Sequence, residues 1–443
     1  MFNLGDIVKS IQNAILANDE DTIKHSLQLI QNYIGNSNLP SEQAVAYHGA
    51  ALCYEFLGQI DAAVSSLNKK LHITGNIADA LLIGALYQKH GHLEKAKNVY
   101  QKIMPTLEMN GPKDILADAY FNLGGYFQQT GKYEHALTYT KKAAYLKPDS
   151  RTIKRILCNL QLLLGDFLNG FNNYIHRTTE RHYTTIPTAH DLDGVTLRIL
   201  GEQGIGDMLM LARYLPDLQA RGAKILLNMH PVVDEILNIH CGFDIYAGEA
   251  QVTPVLVGDV PYMLGRTDVP ESLKFVRPKL GKKHEIDQMD GPVIGLTWRA
   301  GTGNDGAFNR EIDPVELAST IKKGTIVILQ RDPNPEEIRA IQAATKLPVV
   351  DYSHLNDHEN MVTAMPNALT KLDDYVGVAN TNFHLFDMLD KRGRMLVTTP
   401  LEWRFGKEKS VWWDHHQYRQ GVDGNWGEAL ETLKKDLAEA HGW

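Results

Sequence analysis

The sequence predicts an array of paired helices followed by an α/β region made of two halves with parallel sheets. Three observations carry this prediction. Residues 1–178 repeat a helical-hairpin pattern several times. The stretch Thr196–Leu218, TLRILGEQGIGDMLMLARYLPDL, then changes register to a strand, a glycine loop and a helix. From there to the end, short apolar runs alternate with helical periods, which argues for parallel sheets covered by helices.

Composition sets the outer bounds. A chain of 443 residues has room for two or three domains, and 43% apolar with 22% charged residues is ordinary for a globular protein. No run approaches the ~18 continuous apolar residues of a membrane span. MFNLGDIVKS lacks a charged-then-apolar secretory pattern, so the expected location is cytoplasmic. Cys53, Cys158 and Cys241 stand apart in no metal-binding or paired spacing and read as small buried residues. A formal charge of −8 argues against general nucleic-acid binding, which relies on a basic surface.

Three segments of the first region align: residues 44–73, 78–107 and 117–148. Each has a small residue midway through a first helix (Gly49, Gly84, Gly124), a glycine at the turn (Gly58, Gly91, Gly131) and an alanine in the second helix (Ala63, Ala96, Ala136). Small residues there let neighbouring helices approach closely, as a stacked hairpin array requires. The turn glycines recur after 33 and 40 residues, and Gly165 follows 34 later, so an insertion is expected around residues 109–112. Residues 6–34 read as a degenerate leading hairpin turning at Asn18. Tyr87, Tyr100, Tyr120, Tyr126 and Tyr139 either line a concave groove or pack between helices. The pattern resembles tetratricopeptide repeats, clearest in the third unit with Tyr120, Leu123, Gly124, Tyr126, Ala136, Tyr139, Ala143 and Pro148. That resemblance implies a surface for an extended peptide or a partner protein.

Residues 179–194 lose the helical period, carry Pro187 and read as a linker, with His176, His182 and His190 fitting no compact metal site. Thr196–Leu200 is then a short buried strand, Gly201, Gly204 and Gly206 form a tight loop, and apolar residues from Leu209 onward fall at helical spacing. Such a corner is suited to an anion, although an ordinary turn has the same form. Leu209 occupies the third glycine position of a dinucleotide fingerprint, and the Gly-Lys-Ser/Thr ending of a phosphate loop is missing.

The second region divides at the charged segment 281–291 into a short first half, 195–285, and a second half, 290–443. Ligands in open α/β sheets sit at the carboxyl ends of strands, so the loops there should carry function. Four qualify. The first is the glycine loop with Glu202, Gly204, Gly206 and Asp207. The second, WRAGTGNDGAFNR, holds Trp298, Arg299, Gly301 and Arg310. The third is Gln330-Arg331. The fourth contains Asn380, Thr381, Asn382 and His384, in which Asn380 or Thr381 caps a helix whose N–H groups are left for a phosphate. Trp298, Trp403 and Phe405 are candidates to stack on a base or sugar, with core packing as the alternative for Trp403. The pair His415-His416 reads as surface.

GEQGIGDMLMLARYLPDLQARGAKILL, VIGLTWRAG, DDYVGVANTNFHL and LEWRFGKEKSVWW together resemble bacterial tetratricopeptide proteins bearing a glycosyltransferase domain similar to the heptosyltransferases. The resemblance covers most of the chain. It implies a GT-B pair of Rossmann-like halves, a nucleotide-sugar donor held mainly by the second half, and inverting transfer without a metal or other cofactor. The aspartate it makes the candidate general base matches Asp207, with Glu202 as the substitute, and its phosphate-holding segment matches Asn380, Thr381 and His384. The expected partners are a nucleotide sugar and a protein or glycan acceptor brought by the repeats, with a homo-oligomer also open. Ala379 stands where the related motif often has an acidic or hydroxyl residue, and the first half is short. Both features suit a second reading, a non-catalytic adaptor with a degenerate transferase domain.

Overall fold

Apolar and small residues at helical spacing give the first region its hairpins. A computed structural model describes residues 4–37, 39–177, 192–248, 251–275, 285–300 and 310–443. Two compact units result, Met1–Ile153 and Lys154–Trp443.

The first unit consists of α1 (Leu4–Ala17), α2 (Glu20–Asn36), α3 (Pro40–Phe56), α4 (Ile60–Thr74), α5 (Ile77–Lys89), α6 (Leu93–Asn110), α7 (Lys113–Gln129) and α8 (Tyr133–Leu146). The predicted turn at Asn18 is present, with φ of 54°, in the left-handed region that asparagine tolerates better than most residues. Gly91 turns at φ +78° between α5 and α6. Within α5, a Cβ on Gly84 would lie 2.4 Å from Cε1 of the buried Tyr100 on α6, so only glycine lets the two helices meet there. The same holds at Gly124, where a Cβ would sit 2.7 Å from Thr140 Oγ1. The longer repeat interval is absorbed by α6, which runs to Asn110 with Pro105 inside it. Tyr100, Tyr120 and Tyr126 are buried between helices, and Tyr139 stacks on Phe127 with ring centroids 5.3 Å apart. Tyr87 lines a groove of about 690 Å³ with Gln43, Tyr47, Lys69 and His72.

The boundary between the units falls in α9 (Arg151–Leu163), followed by α10 (Phe167–Tyr174). Next come β1 (Thr196–Leu200), α11 (Ile205–Leu211), α12 (Leu215–Ala220), β2 (Lys224–Asn228), α13 (Pro231–Ile236), β3 (Asp244–Ile245), β4 (Thr253–Leu256) and α14 (Val260–Met263). Among the described residues these strands form a parallel sheet in the order β3-β2-β1-β4, with Leu197 facing Ile225 and Ile199 facing Leu227. Phe171 of α10 meets the rings of Tyr214 and Trp412 edge-on, so α10 packs with the α/β region inside the second unit.

The remaining elements are β5 (Val293–Thr297), β6 (Arg299–Ala300), β7 (Arg310–Glu311), α15 (Pro314–Ala318), β8 (Thr325–Ile328), α16 (Pro335–Thr345), β9 (Val349–Asp351), α17 (His358–Lys371), β10 (Asp374–Val378), α18 (Thr381–Met388), β11 (Arg394–Val397), β12 (His416–Arg419) and α19 (Gly427–His441). β6 and β7 pair as a small antiparallel ribbon. The others form a parallel sheet in the order β12-β11-β10-β5-β8-β9. Every residue of β5, β8, β10 and β11 is buried, as expected when helices cover both faces. Ile294, Leu296, Ile326, Ile328, Val376 and Val378 form one face of the core with Ile341 of α16 and Leu430, Leu433 and Leu437 of α19. The sequence does not predict β12, because HQYR offers a single apolar residue at a sheet edge. Its neighbour His415 is a correction to the sequence reading. It is buried, its Nδ1 accepting from the Gly393 N–H at 3.1 Å and its ring set against Phe383. No helix among the described residues is long and apolar enough to cross a membrane.

Candidate functional site

Taken in chain order, the strands of the second sheet run 3-2-1-4-5-6, and their connections reverse direction between β5 and β10. Divergence of the flanking loops at such a point leaves a crevice at the carboxyl ends of the strands. A cleft of about 620 Å³ opens there, lined from the second sheet by Thr297, Arg299, Arg310, Gln330, Arg331, Asn380, Thr381, Asn382, His384, Arg404 and Trp413. The opposite wall is the loop after β1, with Gly204, Ile205, Gly206 and Asp207.

A ring of hydrogen bonds fixes the floor. Asn380 Oδ1 caps α18 by accepting from the Asn382 N–H at 3.0 Å and also accepts from the Tyr375 hydroxyl at 2.9 Å. Asn380 Nδ2 donates to Thr297 Oγ1 at 2.8 Å, and Thr297 Oγ1 lies 3.0 Å from the Tyr375 oxygen. With the threonine hydroxyl donating to the tyrosine, each of the three groups donates once around a closed ring. Burial pushes the Tyr375 phenol upward, which keeps it neutral and able to donate. The ring joins the end of β5 and the early part of β10 to the start of α18, whose cap Asn380 and residues Thr381 and Asn382 line the cleft.

Cationic side chains gather on the walls. The N–H groups of Trp298 and Arg299 both donate to Gln330 Oε1, at 2.9 and 3.0 Å, so Gln330 acts as a bracket between β5 and β8. Arg299 is paired with Glu337 and donates through Nη2 to the Asp332 carbonyl at 2.8 Å. Burial raises Glu337, but Arg299 and the Asn334 N–H outweigh it and hold the carboxyl below its ordinary value. Arg310 Nε lies 3.6 Å from Glu402 Oε1. Arg404 pairs with Glu402 and, across the cleft, with Asp207 at 2.6 Å. Burial opposes the charge on Arg404, yet these two carboxylates more than compensate and its net shift is upward. Arg331 is exposed at the end of β8. His384 is driven far below the ordinary imidazole range, first by burial and then by Arg404, Arg213, His415 and Arg310, so its ring is neutral. That ring sits edge-on to Trp413, 5.1 Å between centroids, and a Cβ on Gly206 would come within 2.8 Å of it.

The residues singled out in the sequence separate into groups. Gly204, Gly206, Asp207, Arg299, Arg310, Gln330, Arg331, Asn380, Thr381, Asn382 and His384 line this one cleft. Glu202, the substitute base, does not: Arg177 Nε donates to its Oε2 at 2.9 Å and the Gly258 N–H to its Oε1 at 3.0 Å. It lines a second cavity of about 900 Å³ beside Gly201, Gln203, Arg198 and Asn228. Trp298 and Phe405 have no face to stack on a ligand, being 0% and 1% exposed. Trp403 meets Tyr174 and Trp412 edge-on at 5.8 and 5.0 Å, the packing alternative. Gly301, His182 and His190 lie outside the described residues. Among the described residues, no three His, Cys, Asp or Glu side chains are grouped as a metal ion requires. Arg404 and Trp413 escape the sequence reading because the other aromatics of LEWRFG and SVWW carry the more obvious signal.

A tetratricopeptide repeat family model matches residues 44–71 and 117–150, the segments of α3–α4 and α7–α8. The N-terminal region therefore carries tetratricopeptide repeats, a type of array that serves protein interaction. No curated protein matches the chain significantly. Among solved structures, the pilF protein of Pseudomonas aeruginosa is 13% identical, covering 49% of this chain and 86% of its own, with a TM-score of 0.35. A MamA fragment from Desulfovibrio magneticus RS-1 is 17% identical over 40% of this chain and 93% of its own, with a TM-score of 0.27. A thermophilic TPR protein of Thermus thermophilus is 17% identical over 39% of this chain and 89% of its own, with a TM-score of 0.30.

Proposed function

We propose that the α/β unit is a glycosyltransferase of the GT-B type, similar to the heptosyltransferases, with Rossmann-like halves over 195–285 and 290–443. The observation that carries the reading is electrostatic. Arg299, Arg310, Arg331 and Arg404 surround one cleft at a strand-order reversal, opposite an aspartate brought by the other half. Guanidinium groups and the start of α18 suit a donor diphosphate, the group that gains charge as transfer proceeds. In this reaction the acceptor hydroxyl oxygen attacks the anomeric carbon. The bond from that carbon to the donor phosphate oxygen breaks, and its electron pair leaves with the nucleoside diphosphate. The hydroxyl proton passes to Asp207, and attack from the opposite face inverts the centre. The cations offset the leaving charge, so the reading needs no metal. The tetratricopeptide array brings a protein or glycan acceptor, and the protein works in the cytoplasm. A second reading, a non-catalytic adaptor, is favoured by one observation: Asp207 is bound to Arg404.

Calorimetry with UDP, GDP, ADP and CDP on the full chain and on Arg331→Ala separates these readings. Arg331 is an exposed side chain at the cleft, so its loss should spare the fold. Removing a charge-assisted contact worth roughly 1.5 kcal/mol or more should weaken the bound nucleotide about tenfold. Failure of every nucleotide to bind the full chain would favour the adaptor.

A further inference from the structure

Asp207 and Arg404 come from opposite walls of the cleft, Asp207 from the first turn of α11 and Arg404 from the segment after β11. Their 2.6 Å pair is largely enclosed, with 22% and 11% of the side chains exposed. Both oxygens of Asp207 are engaged, Oδ1 by Arg404 and Oδ2 by the Gly204 N–H at 3.4 Å. Each carboxylate oxygen keeps a further lone pair, but Oδ1 is turned to Arg404 and Oδ2 to the loop, so the arginine sets where the carboxylate points.

Arg404 is tethered independently of Asp207. Glu402 holds its Nη2, and its carbonyl accepts from Ser410 Oγ at 2.6 Å. Among the described residues its buried Nε has no hydrogen-bond partner, and Nε of Arg310 has the 3.6 Å ion pair to Glu402 Oε1 but no hydrogen bond. A buried donor left without a hydrogen bond is costly, and a partner rich in oxygens can supply one after small side-chain shifts. A diphosphate offers more acceptor oxygens than one carboxylate.

We propose that a diphosphate displaces Asp207 from Arg404, and that this exchange releases the carboxylate to act as base. Arg404 thus couples donor binding to activation of the acceptor hydroxyl, and the donor binds first. The inference rests on the donor-cleft reading above. If Asp207 competes for Arg404, removing its charge tightens anion binding only while Arg404 is present. A residue that only takes the proton gives the smaller gain of losing a nearby like charge, which persists without Arg404, and one that only holds the walls together weakens binding.

The test is calorimetric titration of the full chain, Asp207→Asn, Asp207→Ser and Arg404→Gln with inorganic pyrophosphate and then with nucleoside diphosphates. Asp207→Ser keeps a capping oxygen for α11 and stands in should the asparagine variant fold poorly. Both Asp207 variants should bind pyrophosphate about tenfold more tightly, and Arg404→Gln at least about tenfold more weakly. Unchanged or weaker binding by the folded Asp207 variants overturns the exchange, as does an equal gain from Asp207→Asn in the Arg404→Gln background or failure of the full chain to bind pyrophosphate. Nucleoside diphosphate binding without that tightening rejects the exchange and keeps the donor-cleft reading. Tightening toward pyrophosphate, with no nucleotide bound better than pyrophosphate, keeps the exchange and rejects the nucleotide.

Discussion

Replacing Asn380 by alanine tests whether the ring at the cleft floor holds the site together. The side chain makes three bonds: it accepts from the Asn382 N–H and the Tyr375 hydroxyl, and it donates to Thr297 Oγ1. Loss of a helix cap costs about 1 kcal/mol. Tyr375 and Thr297 still have each other at 3.0 Å, so the ring opens without orphaning both hydroxyls, which adds about 1 kcal/mol. The sum is about 2 kcal/mol for Asn380→Ala. Asn380→Asp keeps the accepting oxygens and loses only the donor to Thr297, and its charge suits a helix start, so it should cost less than about 1 kcal/mol. The assay is urea unfolding followed by tryptophan fluorescence. All 6 tryptophans lie between Trp298 and Trp443, so the signal reports the α/β unit and not the repeats. Equal losses for alanine and aspartate, or a loss under about 0.5 kcal/mol for alanine, would refute the ring as a structural element.

Two further predictions concern the units separately. Burial pushes Asp234 up to about 6 from 3.8, against the pull of the Met229 N–H, so folding favours its protonated form. The stabilisation is complete below about pH 4 and is lost as pH rises through about 6, a change of about 3 kcal/mol. Asp234→Asn should remove that slope from the stability profile, and an unchanged difference between the two proteins across this range would contradict it. In the repeats, Gly84→Ala places a Cβ 2.4 Å from the Tyr100 ring. It should lower the stability of that unit by about 1–2 kcal/mol in circular-dichroism melts, although alanine is the better helix former, whereas a gain would contradict the close approach.

Local chemistry explains how much is readable in the sequence. The turn at Asn18, the small residues at Gly49, Gly84 and Gly124, and the closing helix over 427–441 follow from spacing that a hairpin or amphipathic helix imposes at short range. β5, β8 and β10 are legible because burial on both faces demands unbroken apolar runs. β12 is not, since an edge strand needs few apolar residues, and the ribbon of β6 and β7 is too short to have a period. Grouping post-strand loops on one side of the sheets brings Asp207, Arg299, Arg331 and His384 to one cleft. The strand order behind that grouping depends on pairings far apart in the chain. Nothing local signals that Glu202 is bound to Arg177 or Asp207 to Arg404, because partners 25 and 197 residues apart share no short-range pattern. Trp298 shows the limit from the other side. An aromatic residue after a strand has the same local sequence whether it faces a ligand or the core.

The proposed function requires the cleft at the strand reversal to bind a nucleotide sugar. Its most direct test is a thermal-shift screen of the full chain, read by tryptophan fluorescence, against UDP, GDP, ADP, CMP and their sugars. A ligand that binds only the folded state stabilises it by about 2.7 kcal/mol at a hundred times its Kd. A selective rise with one nucleotide and its sugar is expected in the transition the tryptophans report. No rise with any of them at millimolar concentration would contradict it and leave the adaptor reading in its place.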